Sequence, residues 1–180
     1  MNRVKDIQSQ RGVGLLEVLI ALLVLAIGVL GFAGLQMTAL SQSHDANYRV
    51  AAVLVAQDAI ERMELNLAGR GVPIDPTAAA GSNEYLSRSW GAASHGGDPA
   101  STCLDRECSA TDMVGWDIAQ LTWQAANQLP LGRVLADECS FNSNLICVVV
   151  SWDGQDPAGC MDGGVNVDVD SKCVVMEVAR

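Results

Sequence analysis

From residue 13 to residue 35 the chain runs 23 residues with a single charged side chain, Glu17, and residues 18–35 hold no charged or polar side chain at all. As a helix rising about 1.5 Å per residue, that stretch covers roughly 35 Å, enough to cross a bilayer core of about 30 Å. A helix buried in a soluble core seldom runs this long without a polar face. The pattern therefore predicts a membrane-spanning helix over residues 13–36.

Past residue 35 the hydrophobic pattern changes period without a break. Residues 36–67 contain no proline or glycine, and Ala52, Val55, Ala56, Ala59, Ile60, Met63 and Leu67 recur at spacings of three and four. That is one face of an amphipathic helix. Asp58 precedes Arg62 by four residues, the favourable order for an ion pair on a helix surface. Gly69, Gly71 and Pro73 then supply stop signals. One long helix is expected, its first half in lipid and its continuation over residues 37–68 packed on a soluble head.

The second half of the chain has a different texture. Residues 69–111 are rich in Gly, Ala, Ser, Pro and Asp and predict a long connection. Ser109-Ala-Thr-Asp112 has the form of a capping box opening a helix near 111–129, and Pro130 stops it. Trp116, Ala119 and Trp123 share a face of that helix and are expected in the core. From Val134 onward the pattern turns to strands: LICVVVSW (145–152), the alternating VNVDVD (165–170) and CVVMEV (173–178). Phe141-Asn-Ser-Asn144 offers turn residues centred on Ser143. The fold class is α+β, with a long N-terminal helix packed on a small antiparallel sheet; residues 69–133 form the connecting region and 134–180 the sheet.

Charge sharpens the membrane assignment. The formal net charge is −10, yet Arg3, Lys5 and Arg11 crowd the first twelve residues against Asp6 alone. The positive-inside rule keeps that end in the cytoplasm and sends the acidic remainder outward. With no basic stripe to meet phosphates, nucleic-acid binding is excluded. All six cysteines, Cys103, Cys108, Cys139, Cys147, Cys160 and Cys173, then lie on the exported side, where disulfides form. The spacing of 103 and 108 is a poor match to a zinc knuckle, and neither His44 nor His95 has ligand spacing. Cys139 and Cys147 are equidistant from Ser143, so a hairpin sets them opposite each other. Among fifteen possible pairings the sequential one is favoured: 103 with 108, 139 with 147, 160 with 173.

Several features admit a plain explanation. Gly28, Gly31 and Gly34 either mark a close helix–helix contact or soften the helix. Asp153, Asp156, Asp162, Asp168 and Asp170 fit no calcium-loop spacing and are expected as solvated loop residues. With two histidines and no nucleophile elbow, no catalytic site, cofactor or metal is expected.

A secretory signal peptide has a short apolar core followed by a small-residue cleavage site. Here the core is long, and the small residue that invites processing, Gly12, precedes it. Gly12-Val13-Gly14-Leu15-Leu16-Glu17, followed by VLIALLVLAIGVLGFAG, resembles the type III signal of type IV prepilins and pseudopilins. The resemblance covers residues 1–35 and departs from the usual pattern at Val13, where phenylalanine is commoner, and at Gly14, where a small hydroxyl residue is. It implies cleavage between Gly12 and Val13 by a prepilin peptidase, loss of the basic leader 1–12, and N-methylation of Val13. It also implies that Glu17, fifth in the mature chain, attracts the N-terminal amine of a neighbouring subunit during assembly.

LLEVLIALLVLAIGVLGFAGLQ, the later WDIAQLTWQAANQLP and the cysteine-bearing tail are similar to minor pilins of the PilV type, the type IV pilus modification proteins. This resemblance implies a type IV pilin-like fold and a low-copy subunit that primes pilus assembly, sits at the fibre tip and supports twitching motility and adhesion. The implied partners are other minor pilins, the major pilin, the prepilin peptidase and the inner-membrane assembly machinery. Before assembly the chain is expected in the inner membrane with its head periplasmic, and afterwards in the surface pilus. Two alternatives stand beside it: a minor pseudopilin of type II secretion, and a membrane-anchored periplasmic enzyme that keeps its leader.

Overall fold

The computed structural model describes residues 14–73, 75, 77–97, 103–165, 168 and 170–179. Gly12 and Val13 lie outside them. A helix of 51 residues, α1 (Leu15–Leu65), dominates the first third of the chain. The chain divides into two compact units, Met1–His44 and Asp45–Arg180, and α1 contributes to both.

In the first unit the described side chains of α1 are exposed. Its large apolar residues from Leu15 to Leu40 are between 47% and 79% exposed. This is the one helix among the described residues long and apolar enough to cross a membrane. The helix runs unbroken through Gly28, Gly31 and Gly34, and a Cβ added to any of them would meet nothing within 4 Å.

The second unit is an α+β head built around the remainder of α1. There Ala52, Val55, Ala56, Ala59 and Met63 are buried, while Ile60 is half-buried and Leu67 is exposed beyond the helix end. The helix stops at Leu65, ahead of the first glycine, because Asn66 takes over the local hydrogen bonding. Its side-chain oxygen accepts from Gly69 N at 3.0 Å, and its amide donates to Ala110 O at 2.9 Å. Gly71 adopts φ +74°, and a Cβ there would fall 2.4 Å from Gly81 O, so only glycine fits this crossing. The connection also contains a one-turn helix, α2 (Glu84–Ser87), capped by Asn83, whose side chain accepts from Tyr85 N at 3.1 Å.

Helix α3 (Ala110–Gln128) starts on the expected capping box. Ser109 Oγ accepts from Asp112 N at 3.1 Å, while Asp112 Oδ2 accepts from Ser109 Oγ and N at 2.7 and 3.3 Å. The hydroxyl and backbone N–H of Ser109 hold the Asp112 carboxyl below the usual carboxylate range.

Three antiparallel strands follow, β1 (Arg133–Cys139), β2 (Asn142–Ser151) and β3 (Cys173–Ala179), in the order β1-β2-β3. Central β2 is buried on both faces, and the period of two sorts its side chains into two cores. Ile146, Val148 and Val150 join Val134 and Ala136 of β1, with Val174 and Met176 of β3 packed alongside, against α1 and the Val114–Ile118–Leu121–Ala125 face of α3. Cys147 and Val149 face the other way, with Cys139, Cys160, Met161 and Cys173 closing over them. Full burial of one such valine contributes about 1.5–3 kcal/mol. The alanines Ala52, Ala56 and Ala59 of α1 are fully buried in this first core.

Four expectations need correction. The hairpin turn is Ser140–Phe141, not centred on Ser143, and Cys147 pairs with Asp137 in the β1–β2 register. Cys139 lies two residues farther along β1, where a register shift after Glu138 sets it opposite Asn142, and it is bridged to Cys147 diagonally. Residues 165–170 form no strand at any described position. Gly163 and Gly164 take positive φ just before them, Ser171 N closes a turn on Asp168 O, and the Cys160–Cys173 bridge ties the segment into a loop. The tryptophans of α3 flank its core face and do not form it. Trp116 and Trp123 are half-buried, and Trp123 Nε1 donates to Gly97 O. Residues 69–111 carry α2 and are not purely a connection.

Candidate assembly site

The first turn of α1 is set by Gly14, whose carbonyl accepts from Glu17 N at 2.9 Å and Val18 N at 3.3 Å. Glu17 is exposed, and Ala21 and Leu25 lie one and two turns farther along its face. With Val18 and Leu22 they line a shallow depression beside the carboxylate. Within the uncharged span Glu17 is the only acidic group. In a low-dielectric surrounding such a carboxylate is costly until a cation neutralises it. Chemically, the arrangement is an anion presented on an apolar rod and suited to receiving an amine.

Three disulfides stabilise the head: Cys103–Cys108, Cys139–Cys147 and Cys160–Cys173, with Cα separations of 5.8, 5.0 and 6.2 Å. The first closes a short loop beside the start of α3. The other two belong to one cluster on the face of the sheet away from the helices.

Two polar clusters went unforeseen in the sequence. Asp117, 4% exposed on α3, accepts from Arg62 Nη1 at 3.1 Å and from the Tyr85 hydroxyl at 2.6 Å. Arg62 also holds Asp58 at 2.8 Å and lies 5.5 Å from the centre of the Trp116 ring. Burial alone lowers the Arg62 pKa, but the hydrogen bonds to Asp58 and Asp117 outweigh it and raise the pKa above its ordinary value. Burial, then the hydrogen bond to Asp117, pushes the Tyr85 phenol up. The cluster ties α1, α2 and α3 together. The second joins α1 to the segment before β3: Lys172 Nζ meets Asp45 Oδ1 at 2.5 Å, and Arg49 donates to Asp45 Oδ2 at 3.0 Å and to Ser171 O at 2.7 Å. The hydrogen bond from Lys172 holds the Asp45 carboxyl below the usual range. Only the Asp58–Arg62 spacing signalled any of this. Asp117 lies within an apolar helical pattern, and a buried acid there has no sequence mark until its partners are known.

An uncovered apolar helix bearing one acid near its start, joined to a disulfide-bonded α+β head, defines a helix-anchored assembly subunit. Two family descriptions match consecutive stretches of the chain: the prokaryotic N-terminal methylation motif over residues 7–33 and the type IV pilin Tt1218 over residues 34–119. The chain belongs to the type IV prepilin-like family. No curated protein and no solved structure matches it significantly. The family is structural and not catalytic, and the methylation motif together with the apolar helix fits anchoring in a membrane before assembly.

Proposed function

We propose that the chain is a minor pilin of the PilV type. A prepilin peptidase removes residues 1–12 and methylates Val13, and the freed amine and Glu17 mediate docking between neighbouring subunits. Together with other minor pilins the subunit primes assembly of a type IV pilus and enters the fibre at low copy, at its tip, where it supports twitching motility and adhesion. The observation that carries the proposal is Glu17, the single carboxylate of the stretch 15–40 of α1, whose large apolar side chains are exposed. Leaving lipid with that charge unpaired is unfavourable, and docking that supplies a positive amine is favoured.

Deletion of the gene, complemented by the parent chain or by Glu17→Val, tests the proposal. Surface piliation and twitching are expected to fall on deletion and to return only with the parent. Normal pili in the deletion strain refute it, and loss of exoprotein release with intact piliation favours the secretion pseudopilin. Intact mass of the mature chain tests the processing step, with loss of residues 1–12 and gain of one methyl group expected. A chain that retains Met1 points to a plain membrane anchor.

A further inference from the structure

The two edges of the sheet differ in cover. Helix α2 packs near β1, whereas β3 has no strand beyond it among the described residues. Trp152 N donates to Lys172 O at 3.0 Å, which sets the hydrogen-bonding parity of the β2–β3 pair. With Val150 opposite Val174 and Val148 opposite Met176, the even-numbered residues of β3 bond inward to β2. The backbone N–H and C=O groups of Cys173, Val175, Glu177 and Ala179 therefore point away from the sheet. Two side chains confirm that parity: Arg70 Nη2 donates to Ala179 O at 2.9 Å, and Arg49 Nη2 to Ser171 O at 2.7 Å. Arginines thus cap both ends of the edge. Among the described residues, no protein group bonds the outward backbone of Cys173, Val175 or Glu177 between them.

An unpaired run of this kind is a template for another strand unless it is blunted by proline, a bulge or an inward-pointing charge. Between Cys173 and Glu177 the register is regular and the sequence is Cys-Val-Val-Met-Glu. Its single charge, Glu177, is acidic and exposed. Charge complementarity therefore favours an incoming segment with a basic residue near Glu177. The arginine caps limit its length to about five residues, within the usual range for a short strand.

We propose that the β3 edge from Cys173 to Glu177 accepts an extended, lysine- or arginine-bearing segment of a neighbouring pilin subunit as a fourth strand. The inference rests on the chain being a pilin. It adds a second contact, made by the backbone of the head and independent of Glu17.

Parity supplies a selective test in the full-length chain expressed in cells. Val175→Pro removes an outward N–H and leaves the bonds to β2 in place, whereas Val174→Pro removes an inward one and is the control for damage to the sheet. Glu177→Lys reverses the charge at an exposed side chain. Each variant is followed by its level in the cell envelope, disulfide formation and abundance in sheared pili. Val175→Pro is expected to accumulate with its disulfides formed and to fall at least about fivefold in the fibre fraction, as is Glu177→Lys. Parental abundance of folded Val175→Pro in pili overturns the proposal. If Val175→Pro fails to accumulate, Glu177→Lys decides: reduced incorporation supports the proposal and unchanged incorporation overturns it. Absence of the parent chain from sheared pili instead refutes the pilin assignment on which the proposal rests.

Discussion

Removing the Tyr85 hydroxyl breaks the shortest link of the polar cluster that joins α1, α2 and α3, together with a longer hydrogen bond it accepts from Asn66 Nδ2 at 3.4 Å. That hydroxyl donates to a nearly buried carboxylate, Asp117 Oδ2, at 2.6 Å. A hydrogen bond to a charged group contributes about 1.5–3 kcal/mol, so Tyr85→Phe is expected to cost about 2 kcal/mol. Asp117→Ala also strips Arg62 of one partner. Because Arg62 keeps Asp58 and stays 22% exposed, its loss falls at or below the lower end of the 3–5 kcal/mol typical of a broken buried pair. The two changes share an interaction, so the double variant should cost about 1–2 kcal/mol less than the sum of the singles. Urea unfolding of the full chain in detergent at pH 7, followed by tryptophan fluorescence, measures all three. A Tyr85→Phe chain within about 0.5 kcal/mol of the parent, with no coupling to Asp117, refutes the reasoning. The same side chain gives a pH signature. Folding raises the Tyr85 pKa above its ordinary 10.0, so the folded state keeps a proton that the unfolded state releases. Its contribution is complete below pH 10 and is lost as pH rises beyond that value, and the alkaline fall in stability should be shallower in Tyr85→Phe.

The remaining predictions concern separate parts of the chain. Glu17→Val should leave the amount of chain in the membrane and the unfolding of the head unchanged while abolishing entry into fibres; fractionation with shearing checks both, and normal entry counts against Glu17 as a docking contact. Gly132→Ala places a Cβ 2.0 Å from Ala125 O and 2.7 Å from Leu129 Cβ, so overpacking should cost at least about 1–3 kcal/mol, measured by the same urea assay. Of the three disulfides, Cys160–Cys173 spans the longest separation, 13 residues, and its paired serine variant should lose about 3 kcal/mol against about 2 kcal/mol for Cys103–Cys108, with a separation of 5. Under mild reductant the Cys103–Cys108 bridge should open first, because both its cysteines are half-exposed whereas Cys147 and Cys160 are fully buried; alkylation mapped by mass spectrometry reads the order.

Sequence reasoning worked best where one physical term dominates. The uncharged run through residue 35 and the spacing of Ala52, Val55, Ala56, Ala59 and Met63 specify a helix and its buried face with little competition. The capping box at Ser109 is equally local. Failures came where distant parts of the chain compete. Alternation over 165–170 suggests a strand, but two glycines and a disulfide-closed loop claim the segment first. Symmetry about Ser143 suggested a turn, yet the buried valines of β2 fix the register and move the turn to Ser140–Phe141. The Trp116–Trp123 face looked like core because both side chains are large, although Val114, Ile118, Leu121 and Ala125 form the wall. Asp117 shows the converse, a charge whose partners at Arg62 and Tyr85 are 55 and 32 residues away in sequence.

The burial of one face of α1 in the head core has a mechanical consequence. Ala52, Val55, Ala56, Ala59 and Met63 contact the core over three turns. The Asp45–Lys172 and Arg49–Ser171 links lie before them along the helix, and the Arg62–Asp117 link lies at their far end. Tension entering along the helix axis therefore loads these contacts together, in shear, so none can peel away alone. Rupture requires many attachments to fail at once, and it is the unfolding barrier, not equilibrium stability, that sets resistance to such a pull. The part of α1 inside the head is therefore the element best placed to bear a pull along the helix.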